Sequence, residues 1–181
     1  MTTADAFTLF DTPIGHCGIA WRAGAVTGVQ LPDGPETATR ARMRRRFPTA
    51  SESLAPAEIQ PAIEAIRASL CGLPSDVGAI VLDMNALPEF ERSVYEVART
   101  IAPGTTLTYG EVAARVGDPG AARRVGQVLG RNPFAPVVPC HRVVSADGRM
   151  HGFSASGGVH TKLRLLQIEG YEPNPGPSLF D

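Results

Sequence analysis

Thr108-Tyr109-Gly110-Glu111-Val112-Ala113-Ala114-Arg115-Val116-Gly117-Asp118-Pro119-Gly120-Ala121-Ala122-Arg123-Arg124-Val125-Gly126-Gln127-Val128-Leu129-Gly130 is the stretch on which the fold turns. It opens with a capping box, in which the Thr108 hydroxyl and the Glu111 carboxylate satisfy N–H groups left free at a helix start. Gly117 is placed to close that short helix. Asp118-Pro119 supplies a second cap and a first-turn proline, so a second helix is expected from about Pro119 to Gly130. Two short helices joined by a tight glycine-containing turn describe a helix-turn-helix, whose second helix carries Arg123, Arg124 and Gln127.

Upstream, Pro88 suits a first helical position, and Phe90, Val94, Val97 and Ile101 form one apolar helix face stopped by Ala102-Pro103-Gly104. Downstream come Arg131-Asn132-Pro133, an apolar run from Pro136 to Cys140, and Val143-Val144 leading into the hairpin-turn pair Asp147-Gly148. A last amphipathic helix is expected from about Val159 to Glu169, stopping at Gly170; the proline-rich tail beyond it reads as extended or mobile. The first eighty-odd residues alternate strands and helices. Phe7 to Phe10, Cys17 to Arg22 and Val26 to Leu31 read as strands, with Ala23-Gly24 a tight hairpin. Glu36 to Phe47 reads as a polar helix closed by Pro48; Ile59, Ile63, Ile66 and Leu70 mark another ended by Gly72, and Ala79 to Leu82 one more strand.

The chain has 181 residues, 43% hydrophobic and 19% charged, which fits one globular domain or two small ones and excludes a disordered tail. No apolar run is long enough to span a membrane, and the start lacks the basic-then-apolar pattern of a secretory signal. Cys17, Cys71 and Cys140 are odd in number and far apart, which argues against a disulfide framework and for thiols in the cytoplasm. Cys17 and Cys71 read as small buried hydrophobes. The net charge of −1 gives no global sign of a nucleic-acid partner, yet Arg115, Arg123, Arg124, Arg131 and Arg142 face a single acid, Asp118, over one stretch. A second basic run holds Arg40, Arg42, Arg44, Arg45 and Arg46. Either could face phosphates, and the N-terminal run reads as a solvated helix face.

Pro139-Cys140-His141-Arg142 brings a thiol, a base and a cation together in an apolar, non-helical neighbourhood. An imidazole can take the thiol proton and leave the thiolate, the form that attacks carbon. In an extended strand adjacent side chains point to opposite faces, so His141 serves Cys140 only if the backbone turns after Pro139 or a water relays the proton. A histidine used this way needs a carboxylate to fix its tautomer, and both Glu169 and Asp147 are candidates.

Pro-Cys-His-Arg-Val, with Asn132 eight residues before the cysteine in Gly-Arg-Asn-Pro, resembles the active-site signature of the O6-alkylguanine-DNA alkyltransferases, the methylated-DNA–protein-cysteine methyltransferases. The resemblance extends through Thr108 to Ala113, Ala121 to Gly126, Gly157-Gly158 and Leu165-Leu166 before Glu169-Gly170, and more loosely to Thr12-Pro13-Ile14-Gly15. It implies an RNase H-like α/β N-terminal domain (1–86), a mostly α, winged-helix-like C-terminal domain with the helix-turn-helix (87–171), and a tail (172–181). It implies that Cys140 accepts the alkyl group from O6 of guanine, with O4-alkylthymine a further candidate substrate. Glu169 would orient His141, the base acting through water, and Tyr109 would protonate guanine N3. Arg123 resembles the finger that fills the gap left by a flipped nucleotide, on a helix whose Ala122, Arg124 and Gln127 also face the minor groove. Asn132 resembles the residue tying that motif to the active-site segment, and carbonyls near Cys140 and Val143 would accept the guanine amino group. One turnover per molecule, no cofactor, no metal, and a monomer that meets double-stranded DNA follow from the same resemblance.

Taken singly, Tyr109 is a packing aromatic, Arg123 a solvated arginine, Asn132 a turn former and Glu169 a helix-end surface residue. The sequence also departs from the family. Phe153 stands where a tyrosine is usual, and two extra residues precede Gly157-Gly158, so either Ser154 or Ser156 would meet O6. Ala135 replaces a frequent proline, and His16-Cys17 is a lone pair where some relatives bind zinc. Ser178-Leu179-Phe180 resembles the end of peptides that dock on bacterial sliding clamps, although the plainer reading is a mobile tail. Two rival functions are a protein that binds alkylated DNA without transfer, and a hydrolase using Cys140, His141 and Glu169.

Overall fold

The structure is a computed structural model that describes residues 3–146 and 157–171. Strands β1 (Ala6–Thr12), β2 (Gly15–Arg22) and β3 (Ala25–Gln30) form an antiparallel meander, and β4 (Ser51–Glu52) joins β1 in parallel, giving the order β3-β2-β1-β4. Period-two alternation divides the side chains between two faces. Ala6, Phe10, Cys17, Ile19 and Trp21 meet Ile63, Ile66 and Leu70 of helix α2 (Gln60–Leu70) and its N-cap Ile59 in one core. Phe7 and Ala20 meet Met43 and Phe47 at helix α1 (Glu36–Arg46) on the other. Gly18 makes the second contact possible, since a Cβ there would lie 2.7 Å from Met43 Cγ and Sδ.

The helical half holds α3 (Glu89–Arg99), β5 (Leu107–Thr108), α4 (Tyr109–Arg115), α5 (Ala122–Gly130), β6 (Val143–Val144) and α6 (Val159–Ile168). A separate core gathers Val94, Tyr95, Val112, Val125, Val128, Phe134, Val138 and Val143. Tyr95 meets Phe134 edge to face at 6.2 Å and donates its hydroxyl to the Val128 carbonyl at 3.2 Å. The capping box at Thr108 and Glu111 forms in both directions. Gly117, at φ +85°, closes α4 in a Schellman motif: its N–H donates to Ala114 and that of Asp118 to Ala113. Val137 and Leu165 leave the helical half to pack into the sheet core, and Val29 N–H donates to the Pro133 carbonyl. Among the described residues no helix is long and apolar enough to cross a membrane.

Four expectations are corrected. The second helix of the motif starts at Ala122 and not Pro119, because Asp118 gives its N–H to α4 and its carbonyl to Ala121 N–H, which makes 118–121 a turn. Ala79 to Leu82 is no strand: residues 77–79 form a 3-10 turn capped by Asp76, and Leu82 makes an isolated bridge to Val26. Pro88 is the N-cap of α3 and precedes its first turn. Cys71 is exposed at the end of α2, whereas Cys17 is buried as expected, with its thiol pushed up to about 12 by burial against a hydrogen bond with Thr12.

Candidate active site

The segment around Cys140 is bent by Pro139. Pro139 sits at φ −82°, ψ 66°, the centre of an inverse γ-turn in which Cys140 N–H donates to Val138 O at 2.9 Å. The chain then runs through a single 3-10 turn, Cys140–Arg142, before β6. The extended geometry that would send Cys140 and His141 to opposite faces is therefore absent. Parallel pairing of β6 with β5, through Leu107–Val143 and Thr108–Val144, sets the turn beside the start of α4 and hence beside Tyr109.

Glu169 is the carboxylate that reaches His141. It is the C-cap of α6, held by a second Schellman motif: Gly170, at φ +76°, donates to Gln167 and Tyr171 to Leu166. Its Oε1 lies 2.8 Å from His141 Nε2, and Arg142 forks onto the same carboxylate with Nε at 2.9 Å and Nη2 at 2.8 Å. Arg142 also donates to the Ile101 carbonyl, so one of the five arginines of the basic stretch is interior and belongs to the site. Burial alone would raise the Glu169 carboxyl, but the hydrogen bonds and charges of His141 and Arg142 outweigh it and hold it at about 2. A carboxylate only accepts, so the His141 proton is on Nε2 and the Nδ1 lone pair is unprotonated. Nδ1 is buried and has no hydrogen-bond partner among the described residues. Burial depresses the imidazole below its ordinary value against the opposing pull of Glu169, which favours its neutral form.

Cys140 is itself buried, and Asn132 binds it. One Asn132 Nδ2 proton goes to Val138 O at 2.7 Å and the other to Cys140 Sγ at 3.2 Å, while Oδ1 accepts from Phe134 N at 2.9 Å. A residue just beyond the end of α5 thus holds the Val138–Cys140 segment. Lys162, which sequence reasoning missed, is fully buried; it donates to Val143 O at 2.6 Å and its Nζ lies 5.9 Å from the Tyr109 ring centre. The signal was a charge in the apolar stripe of α6 with Leu165 and Leu166. Burial raises the Cys140 thiol, opposed by the Asn132 hydrogen bond and the Lys162 charge. Tyr109, half-buried on the first turn of α4, is raised by burial and then by Cys140. The Val143 carbonyl already takes Lys162 and keeps a second lone pair for another donor.

On α5, Arg123 and Gln127 are exposed one turn apart and Ala122 is half-buried, while Arg124 lies 3.7 Å over the Phe90 ring. No side chain caps α5, which leaves its first-turn N–H groups available. Phe153, Ser154, Ser156, Asp147, Gly148 and the tail residues Ser178 to Phe180 lie outside the described residues. Among the described residues no group of three His, Cys, Asp or Glu could hold a metal ion.

Residues 89–171 match the family described as 6-O-methylguanine DNA methyltransferase, DNA binding domain. A methylated-DNA–protein-cysteine methyltransferase of Methanothermobacter thermautotrophicus is 37% identical over 158 residues, 87% of this chain and 81% of that protein. One of Mycobacterium leprae is 34% identical, covering 94% of this chain and 96% of the other. Among solved structures, Mycobacterium tuberculosis OGT in complex with DNA superposes with a TM-score of 0.73 at 30% identity, over 91% of this chain and 92% of that one.

Proposed function

The chain belongs to the methylated-DNA–protein-cysteine methyltransferase family, which repairs DNA by direct transfer of a methyl group to cysteine, and from that membership we propose that its acceptor is Cys140. The observation that carries the assignment is one continuous arrangement: Asn132 on Cys140 Sγ, and Glu169 on His141 Nε2 with Nδ1 unpartnered among the described residues. The Cys140 proton passes through a water to His141 Nδ1. The thiolate attacks the methyl carbon on O6, the carbon–oxygen bond breaks, and its electron pair moves into the purine. Tyr109 gives its proton to guanine N3 so that a neutral base leaves, and recovers one from the protonated site. The methyl thus ends on sulfur and the thiol proton on guanine. Lys162 favours negative charge on Cys140 as a buried cation with no carboxylate partner among the described residues. The thioether is stable, so each molecule reacts once.

A stacked base cannot be reached in line by a buried sulfur, so the nucleotide is flipped, which costs a few kcal/mol. Arg123, exposed near the start of α5, is the side chain placed to fill the gap, while Gln127 and the uncapped first turn of α5 meet the backbone in the minor groove. Arg124 is drawn toward Phe90 and contributes charge more than a base contact. The sheet order β3-β2-β1-β4 supports an RNase H-like N-terminal domain, and the separate cores support a boundary near residue 86.

Incubation with a duplex containing O6-methylguanine tests the proposal. One methyl mass is expected on the peptide bearing Cys140; an intact protein that gains none, or gains it on another residue, overturns it.

A further inference from the structure

Helix α1 places its arginines on two sides. At about 100° per residue, Arg40 and Arg44 share one arc, Thr39 and Met43 face the sheet, and Arg42, Arg45 and Arg46 fall on a third arc. The first arc is neutralised: Arg40 pairs with Glu36 and Glu52, and Arg44 with Glu52. The third arc turns toward the helical half. There it lines a cavity of about 400 Å³ whose wall also includes Arg131, Asn132 and Cys140. The solvated face expected from sequence is therefore only one side of α1.

Negative charge is scarce in this cavity. Arg46 donates to the Val29 carbonyl at 3.0 Å and the Pro133 carbonyl at 2.6 Å, and among the described residues it has no carboxylate partner. Burial, helped by the charge of Arg42, holds its guanidinium down at about 10. Arg42 has Asp33 at 3.2 Å, and Arg131 has Glu91 only at 3.6 Å. Arg45 is exposed and without a partner among the described residues. Four guanidinium groups thus converge on a concave space against two carboxylates, in a setting that focuses the field and favours an anion. Arginine forks match tetrahedral oxyanions, and the volume falls in the range of small-ligand sites.

We propose that this cavity between α1 and the 131–133 segment is a phosphate-binding site, reaching Cys140 from the side that Asn132 occupies. The phosphate can come from the DNA backbone or from a free nucleotide, and the shared chemistry is a phosphate group held by Arg42 and Arg45 with Arg46 behind them. The proposal stands apart from methyl transfer, because its test uses no lesion and reads no mass change on Cys140.

The test compares full-length wild type, Arg42→Gln/Arg45→Gln, and a charge-matched control, Arg40→Gln/Arg44→Gln, on the neutralised arc. Two readouts are taken: the shift in Tm caused by dAMP or inorganic phosphate at constant ionic strength, and affinity for a lesion-free duplex over a series of salt concentrations. If the duplex supplies the phosphate, the cavity variant binds it several-fold more weakly, with a salt slope smaller by about 0.9 for each phosphate that the cavity no longer neutralises, and the control variant does not. If a free nucleotide supplies it, duplex binding is unchanged and the Tm rise with dAMP is lost in the cavity variant alone. The proposal is overturned if the cavity variant matches wild type in both readouts, or if the control variant loses as much as the cavity variant.

Discussion

Glu169→Gln separates the structural duty of the carboxylate from its chemical one. The substitution keeps the size of the side chain and one acceptor oxygen, and removes the charge that binds His141 and Arg142. The Glu169 and Arg142 side chains are only 8% and 5% exposed, so solvent cannot replace what is lost. Arg142 is left as a buried cation with the Ile101 carbonyl and a neutral amide. Removing one partner of a buried ion pair costs about 3–5 kcal/mol, and two lost charge-assisted bonds at about 1.5–3 kcal/mol each give the same scale. For a chain of this size 1 kcal/mol moves Tm by about 2–4 °C, so a fall of about 6–20 °C is expected by circular dichroism. The chemical effect is read separately, from single-turnover methyl transfer at a temperature far below the lowered Tm. Without the carboxylate the Nε2–H tautomer is no longer enforced and imidazolium is no longer stabilised, and a loss of about 10²–10⁴-fold is expected, the usual worth of a positioned base. A variant that loses the stability but transfers at the wild-type rate refutes the argument that Glu169 orients a base, and leaves it a purely structural ion pair.

Two further outcomes follow from the same geometry. Stability falls with acid in two stages: His141, lowered by burial, contributes fully above its unfolded value of about 6.5 and less below it, and Glu169 contributes fully above about 4.3 and loses its share as pH falls toward 2. Urea midpoints that stay flat from pH 7 to pH 3 contradict this. Lys162→Met replaces a buried cation by an apolar chain of similar length, so Tm is expected to hold or rise while transfer slows, by about tenfold for each unit that the thiol pKa climbs. Equal rates in the two proteins would remove Lys162 from the chemistry.

Local signals were legible in the sequence because they are satisfied within a few residues. The Thr108–Glu111 box, the stops at Gly117 and Gly170, and the three-strand meander all formed. Failures arose where a residue serves two neighbours. Asp118 reads as a helix cap, but its N–H is committed to α4 and its carbonyl to the turn, so α5 starts later and uncapped. Ala79 to Leu82 has strand composition, yet it meets β3 through a single bridge, Leu82 to Val26, made by the Val81 carbonyl and the Asp83 N–H. At the site, adjacency of Cys140 and His141 was visible while the γ-turn at Pro139 that reconciles them was not. The choice of Glu169 over Asp147 also needed three dimensions, because both follow His141 in sequence and nothing local ranks them. Arg142 was counted in a basic surface although its only room is inside.

With Cys140 as the proposed acceptor, the same arrangement explains how it can be both guarded and competent. Asn132 holds the sulfur from just past α5, Tyr109 stands on the first turn of α4, and Glu169 reaches in from the C-cap of α6. Each of these positions is an element end fixed by its own backbone hydrogen bonds, so the groups are oriented before DNA arrives. Burial nevertheless keeps the Cys140 thiol protonated, and Asn132 and Lys162 only partly oppose it. In an enzyme that cycles, a sluggish nucleophile is a defect. In a protein that reacts once, any stray alkylation inactivates the molecule permanently, and a thiolate exposed at rest would be attacked by every soft electrophile. On the roles proposed for Cys140, His141 and Tyr109, the raised thiol and an Nδ1 with no partner among the described residues fit one design: ionisation waits for a base to be seated against Tyr109, when the charge leaving sulfur is received at once by the purine.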